Sequence, residues 1–228
     1  MENTNINKIK MNISAVILAG GMGKRLGMDV PKALVGLNGK TLLDYQIEWL
    51  NSFGISDIVI AMGYKHKQII SHVKVKGYKG INFSIEKEPL GTAGGLKQAI
   101  SQTVNDSLVV VNVDDITNIG LNKLIRLGTG TICICRMVSP FGVVHTQDDK
   151  IIKFEEKPLL ENIWINAGIY FLDKNINLPE KGSLEYDVFP KLSLKALKHH
   201  GFRYTFNTQK DIEQLGDIPF FKKISISL

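Results

Sequence analysis

A glycine-rich segment near the N-terminus has the residue types needed to bind phosphate groups. Residues 18–26, LAGGMGKRL, contain three glycines followed by a lysine and an arginine. Glycines let the backbone approach a ligand closely and direct several N–H groups into one concavity, which favours an anion. Lys24 and Arg25 add positive charge, and Pro31 stiffens the chain before Lys32. The segment therefore predicts a polyphosphate site.

Two other phosphate-binding motifs resemble this segment. A P-loop would need Ser or Thr after Gly-Lys, and Arg25 stands there. A dinucleotide motif fits residues 21–23, but Leu26 occupies the place of its third glycine. Asp44 lies about 20 residues further on, where a ribose-binding carboxylate is expected. However, Asp44 falls inside a predicted helix and not at the end of a strand. A glycine turn without a ligand also remains open.

An aspartate directly follows an apolar run in the middle of the chain. Residues 108–113 predict a buried strand, and Asp114 comes next. Ligands of open α/β sheets bind at the carboxyl ends of strands, so Asp114 is suited to Mg²⁺, which takes few protein oxygens together with substrate phosphates. Capping of the next segment is the alternative role. Asp115 is a second candidate, but neighbouring strand residues point to opposite faces.

Alternating strand and helix patterns in the first half of the chain would position these residues. Short apolar runs predict buried parallel strands, and apolar residues at helical spacing predict the helices that cover them. The predicted strands are residues 14–19, 57–62, 81–86 and 108–113, and the predicted helices are residues 41–53, 66–73 and 92–101. This order is typical of a mostly parallel sheet with helices on both faces.

The second half of the chain has a different pattern, with strands separated by turn signals. The predicted strands are residues 131–137, 141–146, 151–155 and 164–172. Residues 185–198 predict a helix that Pro190 must start or interrupt. The whole sequence therefore predicts an α/β fold: a three-layer sandwich with a mostly parallel, Rossmann-like twisted sheet and a smaller β-rich substrate lobe.

The sequence predicts a short lead-in and one domain. Residues 1–11 are polar with scattered lysines and lack the apolar stretch of a signal peptide, so we expect them to be disordered. Residues 12–228 form the predicted domain, with a nucleotide-binding half over residues 12–120 and a substrate-binding half over residues 121–228. No apolar run approaches the roughly 20 residues of a membrane span.

Charge and cysteine usage narrow the partners and the compartment. The net charge of +6 suits anionic partners, but the lysines are dispersed. A small phosphorylated substrate fits this pattern better than nucleic acid, and a solvated lysine-rich surface is the alternative. Cys133 and Cys135 would share one strand face as buried thiols in a reduced compartment. We therefore expect a cytoplasmic protein without nucleic-acid or membrane partners.

Several motifs together resemble the nucleoside-diphosphate-sugar pyrophosphorylases. They are similar in particular to small single-domain guanylyltransferases that act on mannose or heptose 1-phosphates. The motifs are LAGGMGKRLG and PKALVGLNGKTLLDY over residues 18–45, EPLGTAGGL at 88–96, VVVNVDD at 109–115, FGVV and IIKFEEKP within 141–158, NAGIY at 166–170 and SLEYDVFPKL at 183–192. Their order and spacing are more specific than any one of them.

The resemblance implies a nucleotidyl transfer in which a sugar phosphate oxygen attacks the α-phosphorus of a nucleoside triphosphate. A phosphate is already mostly ionised near neutral pH, so no general base is needed. Arg25 would then bind the β- and γ-phosphates, Lys32 would lie near the α-phosphate, and Asp114 would hold Mg²⁺. Lys157 would contact the sugar phosphate. Catalysis would come from positioning and charge stabilisation.

The resemblance also implies the remaining contacts. The nucleotide would be bound by Leu18, Ala19, Gly20, Gly21, Met22, Gly23, Lys24, Glu86, Pro89, Gly91 and Thr92. The sugar phosphate would be bound by Asn112, Glu156, Lys157, Asn166 and Gly168, whereas Glu185 is interpreted as structural. The substrates are thus an NTP and a sugar 1-phosphate, residues 121–228 are the sugar-phosphate-binding half, and a homodimer is a reasonable expectation.

The choice of base depends on acidic residues before Gly91. Glu86 and Glu88 could accept the N1–H and N2–H₂ of guanine, whereas uracil or thymine offers one imide N–H. This favours GTP, with a heptose or mannose type of sugar. The alternative is an enzyme of the glucose 1-phosphate type that uses dTTP, CTP or UTP.

The sequence departs from the family pattern at two places. Val113 stands where the family usually has glycine, and the late aspartate that serves as second Mg²⁺ ligand is missing. Asn207 or Thr205 would be weak substitutes, while Asp211 and Asp217 fit the motif less well. These departures leave open a non-catalytic subunit that senses sugar nucleotides.

Overall fold

The computed structural model describes residues 12–21, 23 and 29–216, so the predicted lead-in over residues 1–11 lies outside it. The strands are β1 Ile13–Leu18, β2 Gly36–Leu37, β3 Lys40–Thr41, β4 Asp57–Met62, β5 Ile81–Ile85, β6 Ser107–Asn112, β7 Asp115–Thr117, β8 Thr131–Val138, β9 Val143–Gln147, β10 Lys150–Glu155, β11 Leu159–Asp173, β12 Lys195–His199 and β13 Arg203–Thr205. The helices are α1 Leu42–Ser52, α2 His66–Lys76, α3 Gly91–Ile100, α4 Leu121–Arg126 and α5 Gln209–Gly216.

A seven-stranded sheet forms the centre of the molecule, in the order β12-β8-β11-β6-β1-β4-β5. Strands β6, β1, β4 and β5 pair in parallel, and β12 pairs in parallel with β8. Only β11 runs the other way, antiparallel to both β6 and β8. The mostly parallel sheet predicted from the alternating pattern is therefore confirmed.

Two apolar cores cover the two faces of this sheet. Alternate residues of β1 show the division, because Ala15 and Ile17 belong to one core and Val16 belongs to the other. The first core is completed by α1, α2 and α4, and the second by α3 and the turn after residue 183. Cys133 and Cys135 are both buried in the first core, as their spacing predicts. None of the described helices is long and apolar enough to cross a membrane.

Three short ribbons lie outside the main sheet: β2 with β3, β9 with β10, and β7 with β13. The last of these matters most for the site, because β13 pairs antiparallel with β7 immediately after Asp114. The backbone N–H of Phe206 donates to the carbonyl of Asp114 at 3.1 Å, which extends this pairing. The ribbon therefore brings residues near position 207 beside the carboxyl end of β6.

The predicted helix over residues 185–198 is wrong. A π-helical turn, Leu184–Val188, and a 3₁₀ turn, Phe189–Lys191, occupy its first part, and β12 occupies its last part. Pro190 lies inside the 3₁₀ turn and lacks the N–H that a continuing helix would need. The backbone of β12 pairs instead with β8, which would otherwise expose its hydrogen-bonding edge.

A buried carboxylate fixes the start of α1. Asp44 is fully buried and forms a capping box with Thr41. Its oxygens also accept hydrogen bonds from Tyr78 at 2.9 Å and lie 2.8 Å from Nε2 of His72. Burial opposes ionisation, but these hydrogen bonds together hold the pKa of Asp44 below its ordinary value. Asp44 therefore caps α1 and links it to α2. This role differs from that of the ribose-binding carboxylate in a dinucleotide fold.

We expect Asp44→Asn to destabilise the fold by about 2 kcal/mol at pH 7, because hydrogen bonds to a charged acceptor are replaced by weaker ones. A carboxylate with a lowered pKa in the folded state stabilises above its unfolded pKa and loses that contribution as the pH falls. The difference between wild type and variant should therefore shrink below about pH 4. Urea unfolding at several pH values measures it.

Glu48→Gln is the matched control for this experiment. Glu48 lies one turn further along α1 and pairs with Lys40 in a partly exposed ion pair. Such pairs contribute about 0–1 kcal/mol, and Glu48 also interacts with Tyr78, so the control should lose clearly less stability than Asp44→Asn. Equal stability of Asp44→Asn and wild type at pH 7 would contradict the role given to Asp44.

Candidate active site

A cleft of about 860 Å³ lies at the carboxyl ends of the parallel strands. Its walls come from the segments that follow β1, β4, β5 and β6 and from the first turn of α3. Ten residues predicted from the sequence line it: Leu18, Gly20, Gly21, Lys32, Glu86, Pro89, Gly91, Thr92, Asn112 and Asp114. The structure thus brings most of the predicted nucleotide-side residues together in one space.

Two described residues of the glycine-rich segment, Ala19 and Gly23, do not line this cleft. Ala19 is buried, and its N–H donates to the carbonyl of Ala61 at 2.8 Å. Gly23 is described and adopts a positive φ of 61°, but it does not line the cleft. Met22, Lys24 and Arg25 lie outside the described residues. Their assignment to the triphosphate stays a prediction.

The loop after β4 contributes residues that the sequence analysis missed. Gly63, Tyr64 and His66 line the cleft because β4 is the parallel neighbour of β1 and ends at the same edge. Lys65 in this loop contacts the carboxylate of Asp29 and donates to its carbonyl at 2.8 Å. The position of the loop directly after a predicted parallel strand was the signal that could have identified it.

Glu86 occupies the space beside the first glycine of the segment. A Cβ on Gly20 would lie 2.9 Å from Oε1 of Glu86, and a Cβ on Gly95 would lie 2.7 Å from the same atom. Oε2 of Glu86 accepts the N–H of Leu90 at 3.1 Å. The half-buried carboxylate is therefore held between two glycines and a backbone donor, facing the cleft.

Glu88, the second acidic candidate for base recognition, has a different environment. Its side chain is 71% exposed and lies 3.8 Å from the ammonium of Lys181 in a surface ion pair. It contributes to the outer wall of the cleft beside Pro89. Of the two glutamates that the sequence left open, only Glu86 is held at a fixed position by packing and by a backbone hydrogen bond.

Lys32 and Asp114 meet at the other end of the cleft. Nζ of Lys32 lies 2.5 Å from Oδ2 of Asp114 and donates to Oδ1 of Asn207 at 2.8 Å. Lys32 begins a 3₁₀ turn immediately after Pro31, and Asp114 follows β6. Both side chains are mostly buried, with exposed fractions of 15% and 20%. A cation and an anion are thus positioned together at the strand ends.

Of the possible substitutes for the missing late aspartate, Asn207 shares the ammonium of Lys32 with Asp114. Thr205 instead donates its hydroxyl to Asp115 at 2.5 Å. The carboxylate of Asp211 accepts the backbone N–H groups of Asn207 and Thr208, so it stabilises this turn. Asp217 lies outside the described residues.

Asp115 points into the protein, as strand alternation predicts. It is 3% exposed and accepts hydrogen bonds from Arg203 at 2.6 Å and from Asn112 at 3.1 Å. Burial raises the pKa of Asp115 to about 6, against the opposing effect of the Arg203 guanidinium. Gly168 has a φ of +72°, and a Cβ there would lie 1.9 Å from Oδ2 of Asp115. The glycine is therefore required by this buried carboxylate.

A chain of hydrogen bonds leads from the cleft to Asn166. Thr92 donates its hydroxyl to Glu185 at 3.1 Å, and Tyr170 donates to the same carboxylate at 3.2 Å. Asn166 donates to the Tyr170 hydroxyl at 2.7 Å and accepts the N–H of Gly168 at 2.9 Å. Glu185 thus holds hydroxyl groups in place, in keeping with its structural interpretation.

Glu156 and Lys157 lie outside the wall of this cleft. Both are exposed in the turn between β10 and β11, and Lys157 adopts a positive φ of 46°. Nζ of Lys157 lies 4.0 Å from Oε1 of Glu156. The structure does not bring this pair against Asp114, so the predicted contact of Lys157 with a sugar phosphate remains untested by the geometry.

Comparisons with known proteins show which family this chain belongs to. The nucleotidyl transferase family model matches residues 14–192. D-glycero-alpha-D-manno-heptose 1-phosphate guanylyltransferases from Aneurinibacillus thermoaerophilus and Campylobacter jejuni are 34% and 37% identical, over 83% and 81% of this chain and 89% and 90% of their own lengths. A crystal structure of HddC from Yersinia pseudotuberculosis complexed with GMP-PN is similar with a TM-score of 0.73 and 29% identity, covering 88% of this chain and 96% of that one. The chain therefore belongs to the nucleotidyl transferase family.

Proposed function

We propose that this protein transfers GMP from GTP to a sugar 1-phosphate of the heptose or mannose type, releasing pyrophosphate. The observation that supports this most directly is the cleft itself, with Glu86 at one end and the Lys32–Asp114 pair at the other. The relatives named as heptose 1-phosphate guanylyltransferases support the same substrates. The product would serve as a precursor for cell-surface glycans such as lipopolysaccharide or capsule.

The proposed reaction needs charge stabilisation more than proton transfer. An oxygen of the sugar phosphate attacks the α-phosphorus of GTP and forms a new P–O bond. The bond from the α-phosphorus to the oxygen bridging to the β-phosphate breaks, and pyrophosphate leaves. The attacking phosphate is already ionised near neutral pH, so the chain needs only to align the reactants and neutralise their charge.

Lys32 is the described cation best placed to contact the α-phosphate. Its ammonium is held by Asp114 and Asn207, so its position is fixed before any substrate binds. Arg25 and Lys24 would grip the departing pyrophosphate, and a guanidinium can bind two oxygens at once. Lys157 would approach the sugar phosphate from the turn before β11. Preorganised charges of this kind stabilise a transition state without reorganising during the reaction.

The oxygens around Lys32 fit Mg²⁺. Asp114 and Asn207 each place a side-chain oxygen on the same ammonium, so two hard donors lie close together. Within residues 12–21, 23 and 29–216, no group of three or more His, Cys, Asp or Glu residues could cage a metal ion. Mg²⁺ suits such a site because it binds through few protein oxygens and through substrate phosphates. The ion would supply positive charge against the triphosphate.

Glu86 would select the base. A carboxylate only accepts hydrogen bonds, and its two oxygens can receive the N1–H and N2–H₂ of guanine. Oε2 accepts the N–H of Leu90, and a carboxylate has further lone pairs that could accept from a ligand. Uracil and thymine offer a single imide N–H, so they would leave part of this acceptor unpaired in the cleft.

We expect Glu86→Gln to lower kcat/KM for GTP by about tenfold or more, because hydrogen bonds to a charged acceptor are lost. Glutamine keeps the shape between Gly20 and Gly95 and keeps one acceptor for Leu90, so folding should be preserved. The ratio of kcat/KM for GTP to that for UTP, measured by pyrophosphate release, should fall.

Glu88→Gln is the control for the base-selection experiment. It makes the same Glu-to-Gln change, but in an exposed side chain on the outer wall of the cleft. Its GTP-to-UTP ratio should stay close to that of wild type. Equal losses in both variants, or a tenfold preference of wild type for dTTP or CTP, would contradict guanine recognition by Glu86.

We expect Asp114→Asn to lower the rate of pyrophosphate release by about 100-fold, the usual cost of removing one well-placed electrostatic group. The variant keeps the size of the side chain but removes the charge that holds Lys32 and the proposed Mg²⁺. A higher Mg²⁺ concentration should restore part of the rate. Asp149→Asn, in the exposed turn between β9 and β10, should behave like wild type. Retention of full activity in Asp114→Asn would exclude this carboxylate from the reaction.

A substrate matrix tests the proposed function as a whole. GTP, dTTP, CTP and UTP are each paired with 1-phosphates of a heptose, mannose and glucose, and pyrophosphate release is measured with Mg²⁺. The proposal predicts the highest kcat/KM for GTP with the heptose or mannose compound. Pyrophosphate release only with dTTP, CTP or UTP would favour an enzyme of the glucose 1-phosphate type. No release from any pair, together with tight binding of a finished GDP-sugar, would favour the sensing subunit.

A further inference from the structure

A basic cluster surrounds one indole ring at the edge of the sheet far from β5. The Trp164 cluster consists of Arg136 on β8, Trp164 on β11, Lys198 on β12 and His200 just after it. Cζ of Arg136 lies 5.8 Å and Nζ of Lys198 lies 5.0 Å from the centre of the indole ring. The His200 ring meets the indole edge-on at 5.5 Å.

One buried donor of this cluster has no acceptor among the residues that the structure describes. Nε of Arg136 is buried without a hydrogen-bond partner. Neither Arg136 nor Lys198 forms an ion pair or a side-chain hydrogen bond within the part of the chain that the structure describes. Glu185, the acidic residue in the hydrogen-bond chain described above, is engaged by the hydroxyls of Thr92 and Tyr170. The buried Nε–H of Arg136 is costly to leave unpaired, so an acceptor that reaches it would be favoured. Lys198 and His200 are exposed and add positive charge at the surface beside it.

The cluster lies on the same face of the sheet, and at the same end of its strands, as the hydrogen-bond chain that starts in the cleft. Trp164 pairs directly with Arg136, and Asn166 pairs with Ile134, so Trp164 and Asn166 point to one face. Strand β8 runs parallel to β6 and lies two strands away, a distance of about 10 Å. The Trp164 cluster lies outside the described wall of the cleft, and a sugar that extends from the cleft past Asn112 and Asn166 would approach it next.

We propose that the Trp164 cluster binds an oxyanion, a phosphate or a carboxylate, at the end of the sugar substrate away from C1. This rests on the proposed function, in which the nucleotide lies over β1 to β5 and the sugar extends towards β8. Arg136 offers a planar set of donors that can bind two oxygens of such a group, and Lys198 adds a second charge. The preferred acceptor substrate is then a sugar 1-phosphate with a second anionic group.

The first test compares mannose 1-phosphate with mannose 1,6-bisphosphate, each with GTP, by pyrophosphate release. Wild type should have the higher kcat/KM for the bisphosphate. Arg136→Gln and Lys198→Gln should each lower the ratio of kcat/KM for the bisphosphate to that for the monophosphate by about tenfold, the usual effect of one charge-assisted hydrogen bond. Equal ratios in wild type and both variants would overturn the proposal.

Lys79→Gln is the matched control, because it removes the same charge beside β5, the opposite edge strand of the sheet. It should leave the substrate ratio unchanged. If Lys79→Gln lowered the substrate ratio as much as Arg136→Gln, net charge alone would set the preference for the bisphosphate. That result would also overturn the proposal.

A binding readout separates this proposal from the proposed function. The chain has two tryptophans, so a Trp49→Phe background leaves Trp164 as the reporter. Mannose 1,6-bisphosphate should change its fluorescence saturably, and Arg136→Gln should weaken that binding about tenfold. Inorganic phosphate binding as tightly as the bisphosphate would overturn the assignment to a sugar. Absence of turnover with every pair, despite saturable binding, would refute the proposed function and leave the cluster assigned.

Discussion

The ion pair between Lys32 and Asp114 is the contact on which the proposed chemistry depends. The two residues are 82 positions apart, and they meet at the edge of the sheet where β1 and β6 end side by side, with Leu18 opposite Asn112. A nucleotidyl transfer must bring two polyanions together, so a cation fixed at this edge stabilises their approach. Asp114 and Asn207 hold the ammonium in place, so its position does not depend on the substrates.

A buried network behind this pair gives two adjacent aspartates opposite roles. Asp114 faces the cleft, and Asp115 faces the protein, where Arg203 and Thr205 on β13 hold it. Separating Asp115 from Arg203 would leave an uncompensated buried charge. This pair therefore stabilises the pairing of β13 with β7. Because the same ribbon delivers Asn207 to Lys32, the interior carboxylate positions the cleft. It also explains the glycine at position 168, where any side chain would collide with Asp115.

The sequence predicted those elements whose local pattern and packing agree. Strands β1, β4 and β6 are continuous apolar runs buried on both faces, and Asp114 could be located from its place after one of them. Strand β12 could not be predicted, because its five residues have two adjacent apolar side chains between polar ones, a pattern that fits helix and strand alike. Pairing with β8 decides between them. The contact of Asp115 with Arg203 depends on a pairing 88 residues apart. Likewise, no local pattern distinguishes Glu86 from Glu88, and only packing against Gly20 and Gly95 does so.

The carboxylate beside Gly20 gives the proposed nucleotide a direction. Two like charges 4 Å apart repel by about 1 kcal/mol in water and by about 4 kcal/mol at the effective dielectric constant of 20 that suits a protein surface. A phosphate group at Gly20 would therefore be repelled by the Glu86 carboxylate, whereas a neutral base with hydrogen-bond donors would not. Under the proposed function, the first glycine of the segment would serve the base, and the phosphates would lie further along, towards Lys32 and Asp114. The sugar would then extend past Asn112 towards β8, so the order of the strands would set the order of base, phosphates and sugar.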